Sequence, residues 1–477
     1  MPGAGDGPRI ELDEAIVHGV ALGPSIDAYL GIRFAEPPTG PRRFAAPERV
    51  ALSGIIDATS FGPAAPQFPG MGIVPGDATP NAMDEDCLFL NVWAPTGPGP
   101  HPVFVWFYGG AFLGGFTADP TINGGRLAAR GSMIVVTVGY RVGALGWLDL
   151  GATNCGLRDQ QCALEWVRDH IGAFGGDADR VTIAGESAGG GSVLHLLASP
   201  GTAGLFRGAI VQSGATDYTR TRAEIGRVTE IFVDALDGAD PREVSWPQII
   251  EAQGRAMVPL MTELARMPFH PCVDGDVLHA RPVDALRAGV GAEVALVIGT
   301  TRDEMRLFLA EPQLAEEQMR KRVDRYLDRD GTAVIDAYRA IVGDDPMDVW
   351  AAIQSDREML LPAVAVADAH QGATFRYLFT WEAAPRTDGL PLRSCHAVDL
   401  PFTFGTLDQL EWDAWTGADR DGTAAAALVD GLQHAWCRFA ATGDPGWPDH
   451  HTGKVQVFGR DSGVATDPSA SRLVVWR

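Results

Sequence analysis

Between residues 181 and 198 the chain runs from an apolar stretch, Val181 to Ala184, through Gly185-Glu186-Ser187-Ala188-Gly189 into small residues from Gly190 to Ala198. No other feature constrains the fold as strongly, because it reads as a strand, a glycine-bracketed serine and the start of a helix. A serine on so sharp a turn is lifted clear of the sheet, and glycines are needed on both sides because a Cβ there would clash. The following helix sets backbone N–H groups and its positive dipole end beside the serine, where developing negative charge is stabilised. An ordinary glycine-rich strand-to-helix turn shares the same pentapeptide, so the rest of the chain has to decide between the two.

Composition narrows the field. With 46% hydrophobic and 21% charged residues over 477 positions, the chain can bury a large core. No apolar run approaches the roughly 18 residues that a membrane-spanning helix needs. A net charge of −23 argues against nucleic acid and anionic membrane surfaces as partners, since both would repel it. Residues 1–7 lack a basic-then-apolar secretion signal. Cys87, Cys155, Cys162, Cys272, Cys395 and Cys437 show no C-x-x-C spacing, which excludes the common zinc patterns and gives no disulfide framework. The expectation is a cytoplasmic protein with free cysteines, without any indication of oligomeric state.

After short extended segments (Ile16 to Val20, Ala28 to Ile32) and a loose stretch from Phe61 to Asn81, apolar runs alternate with helical patterns. The runs are Val103 to Tyr108, Met133 to Tyr140, Val181 to Ala184, Ala209 to Gln212, Val294 to Ile298 and Phe375 to Phe379. Such strands suit a sheet buried on both faces, and their alternation with helices predicts a doubly wound α/β core. Asn154 is placed to cap a helix carrying Leu157, Leu164, Trp166, Val167 and Ile171, ending at Gly175-Gly176. A last helix is expected over Ala424 to Ala441. The charged, helical blocks 220–287 and 311–363 read as insertions over the sheet of a single domain spanning 1–477.

A serine hydroxyl is a poor nucleophile at neutral pH, so Ser187 needs a base, and the base an orienting carboxylate. In sheets of this class the chain order is serine, acid, histidine, with the chemistry at the carboxyl ends of strands. Val294 to Ile298 leads into Gly299-Thr300-Thr301-Arg302-Asp303-Glu304. Either carboxylate fits, with Glu304 slightly ahead. Of the later histidines, His370 and His434 fall in helical patterns and His450 and His451 in a polar loop. His396, in the irregular segment Pro391 to Pro401, remains as the base by elimination. Gly109-Gly110-Ala111 closes another strand, where backbone N–H groups together with that of Ala188 offer an oxyanion site.

Taken together these motifs resemble the type-B carboxylesterase family of α/β-hydrolases, in particular its bacterial p-nitrobenzyl-esterase-like members. The resemblance rests on Phe174-Gly175-Gly176 through Gly185-Glu186-Ser187-Ala188-Gly189, and on Glu85-Asp86-Cys87-Leu88-Phe89-Leu90-Asn91. Gly31-Ile32-Arg33-Phe34-Ala35, Gly109-Gly110-Ala111-Phe112, Gln212-Ser213-Gly214, Arg302-Asp303-Glu304 and His396-Ala397-Val398-Asp399-Leu400-Pro401-Phe402 follow in the family's order. It implies an α/β-hydrolase fold: a large, mostly parallel sheet flanked by helices, with an N-terminal antiparallel extension and helical insertions. It also implies a Ser187-His396-Glu304 triad, oxyanion donors at Gly110, Ala111 and Ala188, and Ser213 close behind the triad. Glu186 is either a source of negative field in the pocket or a structural part of the elbow. Cys87 matches a half-cystine of animal members, but residues 61–86 hold no partner for it and no tryptophan, which argues against a cholinesterase.

The resulting expectation is a serine carboxylesterase acting on a small-molecule ester, with no metal or organic cofactor. Its alternatives are a catalytically silent scaffold of the same fold and an amidase or carbamate hydrolase using the same triad. Phe112, Leu113, Phe116, Leu307, Phe308 and Phe402 flank the catalytic motifs and are candidates both for pocket lining and for core.

Overall fold

The apolar runs become neighbouring strands of one sheet. A computed structural model describes residues 7–69, 82–214, 218–264, 267–409, 411–418 and 422–476. The readings made above for residues 1–6 and for 70–81 of the loose stretch fall outside them. In chain order the main strands are β1 (Val20–Ala21), β2 (Ile26–Arg33), β3 (Phe89–Pro95), β4 (His101–Phe107), β5 (Ile134–Val138) and β6 (Gly176–Glu186). They continue with β7 (Gly208–Gln212), β8 (Ala295–Thr301), β9 (Thr374–Phe379), β10 (Lys454–Phe458) and β11 (Gly463–Thr466). Their order across the 11-stranded sheet is β11-β10-β9-β8-β7-β6-β4-β5-β3-β2-β1.

From β5 to β10 every neighbouring pair is parallel. The first three strands form the expected antiparallel extension, and β11 closes the far edge antiparallel. Every residue of β4, β5 and β7 is buried, as a sheet covered on both faces requires. The strands β3, β10 and β11 had no counterpart among the runs read from the sequence. β3 lay hidden in the Glu85-to-Asn91 motif, and β11, Gly-Val-Ala-Thr, is too short and too exposed to carry a pattern.

Helix α1 (Cys155–His170) buries Leu157, Leu164, Trp166 and Val167, and Ile171 follows in a 3₁₀ turn. Asn154 precedes it with φ 55° but makes no side-chain cap. Its amide instead donates to Cys272 O (2.9 Å) and accepts from Cys272 N (2.8 Å), tying the helix start to a distant segment. Helix α2 (Ala188–Leu197) follows the serine. The two charged blocks are helical, at Arg222–Asp234, Trp246–Leu264 and Pro282–Arg287 in the first and Glu316–Leu327, Thr332–Val342 and α3 (Pro346–Ser355) in the second. Helix α4 (Thr423–Thr442) buries Leu428, Leu432, Trp436 and Phe439.

The Glu85-Asp86-Cys87 motif is a clamp. Glu85 takes Arg43 Nε at 2.6 Å in a buried pair, and Asp86 takes Arg33 Nη2 at 2.6 Å. Asn91, on β3, accepts from Gly31 N (2.8 Å) and donates to Thr137 (2.9 Å), locking β2, β3 and β5 together. All six cysteines are free thiols. Among the described residues no helix is long and apolar enough to cross a membrane.

Candidate active site

The parallel strands bring separate parts of the chain to one edge of the sheet. β6 ends at Glu186, and Ser187 turns the chain into α2 with φ 55° and ψ −123°, a backbone that L residues rarely adopt. Its N–H donates to Gln212 O at 2.9 Å, and its carbonyl accepts from Gly191 N at 2.8 Å. The flanking glycines are required by space. A Cβ on Gly185 would lie 2.4 Å from the Gly189 carbonyl carbon, and one on Gly189 would lie 2.0 Å from Phe107 O.

Asp303 and Glu304, left open by spacing, point to different partners. The Asp303 carboxylate takes Arg302 Nε (2.8 Å) and Ser394 N (3.3 Å). Glu304 opens a 3₁₀ turn after β8 and turns inward, with Oε2 2.6 Å from His396 Nδ1. Its other oxygen accepts from Ser213 Oγ (2.6 Å) and Thr301 N (2.8 Å). Ser213 thus stands directly behind Glu304, held at φ 49° just past the end of β7. Both partners of the Glu304–His396 pair are buried, at 1% exposure each. His396 also donates its backbone N–H to Glu304 O at 3.2 Å.

The far ring nitrogen, Nε2, is buried and makes no hydrogen bond among the described residues, Ser187 included. Its near charged neighbour is Glu186 Oε1 at 3.2 Å. Catalytic hydrogen bonds are often long or misaligned before substrate binds. Beside Ser187 runs the Gly109-Gly110-Ala111 loop. A Cβ on Gly109 would meet Ser187 Cβ at 3.1 Å, and Gly110 and Ala111 lie at φ 113° and 55°. The N–H groups of Gly110, Ala111 and Ala188 donate to no protein acceptor among the described residues. They leave a set of open donors next to the serine.

The six apolar candidates divide. Phe112, Leu113 and Phe402 are buried; Phe112 packs edge-on against Trp147, and Phe402 against Phe379 and Trp381. Phe308 is 45% exposed, and its ring centroid is 5.3 Å from that of His396. Leu307 and Phe116 are half-buried.

The carboxylesterase family model matches residues 7–460. The chain is 34% identical to the para-nitrobenzyl esterase of Bacillus subtilis, over 94% of each sequence. The chain belongs to the carboxylesterase family. It is 32% identical to a phenmedipham hydrolase of Pseudarthrobacter oxydans, covering 90% of this chain and 88% of that one. Among solved structures it superposes on a thermophilic PNB esterase with a TM-score of 0.86 at 31% identity, covering 98% and 99% of the two chains. A Geobacillus stearothermophilus carboxylesterase gives 0.84 at 31% identity, covering 98% and 100%. The fold is that of the α/β-hydrolases, and the protein is a carboxylic ester hydrolase.

In this carboxylesterase His396 sits among three buried carboxylates, those of Glu186, Glu304 and Asp399. Burial opposes charge on the ring, but Glu186 and Glu304 outweigh it and push His396 up to about 9. Burial pushes the Glu186 carboxyl up to about 8, against the pull of His396. The two compete for one proton, and the pair holds it to a higher pH than an isolated histidine would. Asp399 is pushed up to about 6, chiefly by burial, while Gln212 Nε2 donates to it at 2.8 Å. Sequence reading gave Gln212 and Asp399 no role. Both lie in the motifs that carried the resemblance, Gln212-Ser213-Gly214 and His396 to Phe402.

Proposed function

We propose that this carboxylesterase cleaves its esters through Ser187, His396 and Glu304 by way of an acyl-enzyme. Ser187 Oγ attacks the ester carbonyl while His396 Nε2 takes its proton. Glu304 orients the ring through Nδ1 and stabilises the imidazolium. The tetrahedral oxygen is received by the N–H groups of Gly110, Ala111 and Ala188, each such donor contributing typically ~2.7–4 kcal/mol. The alcohol leaves with the proton from Nε2. Water then attacks the acyl-enzyme, gives its proton to Nε2, and the acid departs as Ser187 regains its hydrogen. No metal or organic cofactor enters this scheme.

The observation that carries the reading is the 2.6 Å contact between His396 Nδ1 and Glu304, with Nε2 on the far side of the ring making no hydrogen bond among the described residues. Residues 1–477 are read as one catalytic domain, with blocks 220–287 and 311–363 covering the site. The substrate is read as a small ester with an apolar or aromatic group against Phe308, and the enzyme as cytoplasmic. Relative to wild type, Ser187→Ala is expected to lower turnover of a p-nitrophenyl ester by on the order of 10⁴–10⁶. A fluorophosphonate should add once, at Ser187. A Ser187→Ala protein that keeps most of its turnover overturns the assignment.

The phenmedipham hydrolase relative favours a second reading, in which the same groups cleave carbamates. Comparing the ester, carbamate and amide of one leaving group separates the two. Turnover of the carbamate within about tenfold of the ester would favour the second.

A further inference from the structure

The Glu304–His396 contact joins segments that come from the ends of different strands, and a single carboxylate outside the site grips both. Arg306, two residues after Glu304, is 1% exposed. Its guanidinium donates to Pro391 O at 2.8 Å and to Oδ1 of Asp348. Asp348 Oδ2 accepts from Arg393, three residues before His396. One oxygen therefore holds the acid's segment and the other the base's. Arg393 itself is held at φ 50°, in the left-handed region.

The carboxylate sits on a braced support. Asp348 lies in the first turn of α3, whose N-cap Asp345 accepts from Met347 N (2.7 Å) and Asp348 N (3.3 Å). At the other end of the same helix Ser355 Oγ accepts from Met305 N at 3.0 Å. The helix thus fixes the residue after Glu304 as well as Arg306. Backbone contacts, Asp303 N to Ser394 O at 2.8 Å among them, bring the two segments near each other. A hydrogen bond of 2.6 Å between side chains needs finer control, because displacements of about 1 Å can cost a hundredfold in rate.

We propose that Asp348 is a positioning residue for ester hydrolysis, setting the Glu304–His396 distance through Arg306 and Arg393. The proposal rests on the triad reading above. Asp348→Asn keeps the size but offers an amide N–H₂ to one of the two arginines, so one link is lost and the bridge opens. Arg393→Gln is the gentler variant, since it leaves the Arg306–Asp348 pair intact and Arg393 is the most exposed of the three, at 33% of its side chain.

The test measures kcat and KM for p-nitrophenyl acetate in the full chain, together with the low-field proton resonance of His396 Nδ1–H. Both variants are expected to lower kcat about tenfold or more with KM little changed, and to shift or broaden that resonance. In a Glu304→Gln background Asp348→Asn should add little further loss, because the contact it serves is already weakened. A folded Arg393→Gln or Asp348→Asn protein with wild-type kcat and an unmoved resonance overturns the proposal. So does a loss that is fully additive with Glu304→Gln, which marks a merely structural role. Fluorophosphonate labelling and Ser187→Ala test the triad separately, so a failure there is told apart from a failure of the bridge.

Discussion

Glu186 Oε1 stands 3.2 Å from His396 Nε2, the nitrogen that takes the serine proton in the proposed mechanism. A carboxylate at that position favours the imidazolium, yet the base must be neutral to act. In that mechanism the local field at the elbow is expected to set the pH at which the base becomes free.

The acidic limb of kcat/KM is expected well above the ordinary histidine value of 6.5, toward the value of about 9 to which its carboxylates push His396. The sign follows from the charge: below this limb the pair holds its proton and the base is occupied, and above it the base is free. Glu186→Gln removes a negative neighbour, so His396 releases its proton earlier and the limb moves down by about a unit or more. A pH profile of kcat/KM for both proteins checks this. An unmoved limb would detach Glu186 from the titration of the base.

Phe308 is a large apolar side chain left open beside His396. Covering such a ring with a substrate's apolar group gives about 1.5–3 kcal/mol. Phe308→Ala is expected to raise KM roughly tenfold or more for aromatic or long-chain esters, with acetate little affected. A chain-length series of p-nitrophenyl esters reads the difference, and equal losses at every length would place the ring outside the pocket.

Two glycines make opposite forecasts for stability. Gly189→Ala drives a Cβ to 2.0 Å from Phe107 O, so α2 has to move off β4, at a cost of about 1–3 kcal/mol or more. Gly226, inside the helix Arg222–Asp234, has no atom within 4 Å of its added Cβ. Gly226→Ala is expected to stabilise the fold by about 0.4–1 kcal/mol. Thermal melts of the two variants, with fluorophosphonate labelling of the first, check both signs; only Gly189→Ala should slow labelling.

What the sequence made legible was local. The elbow could be read because strand, glycines and helix start are contiguous, and the space around Gly185 and Gly189 accounts for each of them. Elimination leads to His396 because the patterns around His370 and His434 are helical and that around His450 and His451 is polar; in the fold His434 lies in α4, while His370 stands just past the end of a helix. Asp303 and Glu304 could not be told apart by spacing, since adjacent side chains diverge at a turn and only its geometry sends one to Arg302 and the other to His396. Likewise Phe402 and Phe308 read alike as apolar letters, although one packs on Phe379 and Trp381 and the other is open. The bridge from Arg306 through Asp348 to Arg393 joins residues 42 and 45 apart in sequence and leaves no trace in any motif.

The parallel core carries a consequence for how this enzyme comes into being. The loop after β4, Ser187 after β6, Ser213 after β7 and Glu304 after β8 all precede His396 along the chain, so in the proposed mechanism the base is the last part to be added. In that mechanism a nascent chain that stops short of His396 can present Ser187 but has nothing to receive its proton. On that reading, hydrolysis during synthesis or refolding is expected only once the segment that carries His396 has folded against Glu304, however many of the earlier strands have already paired.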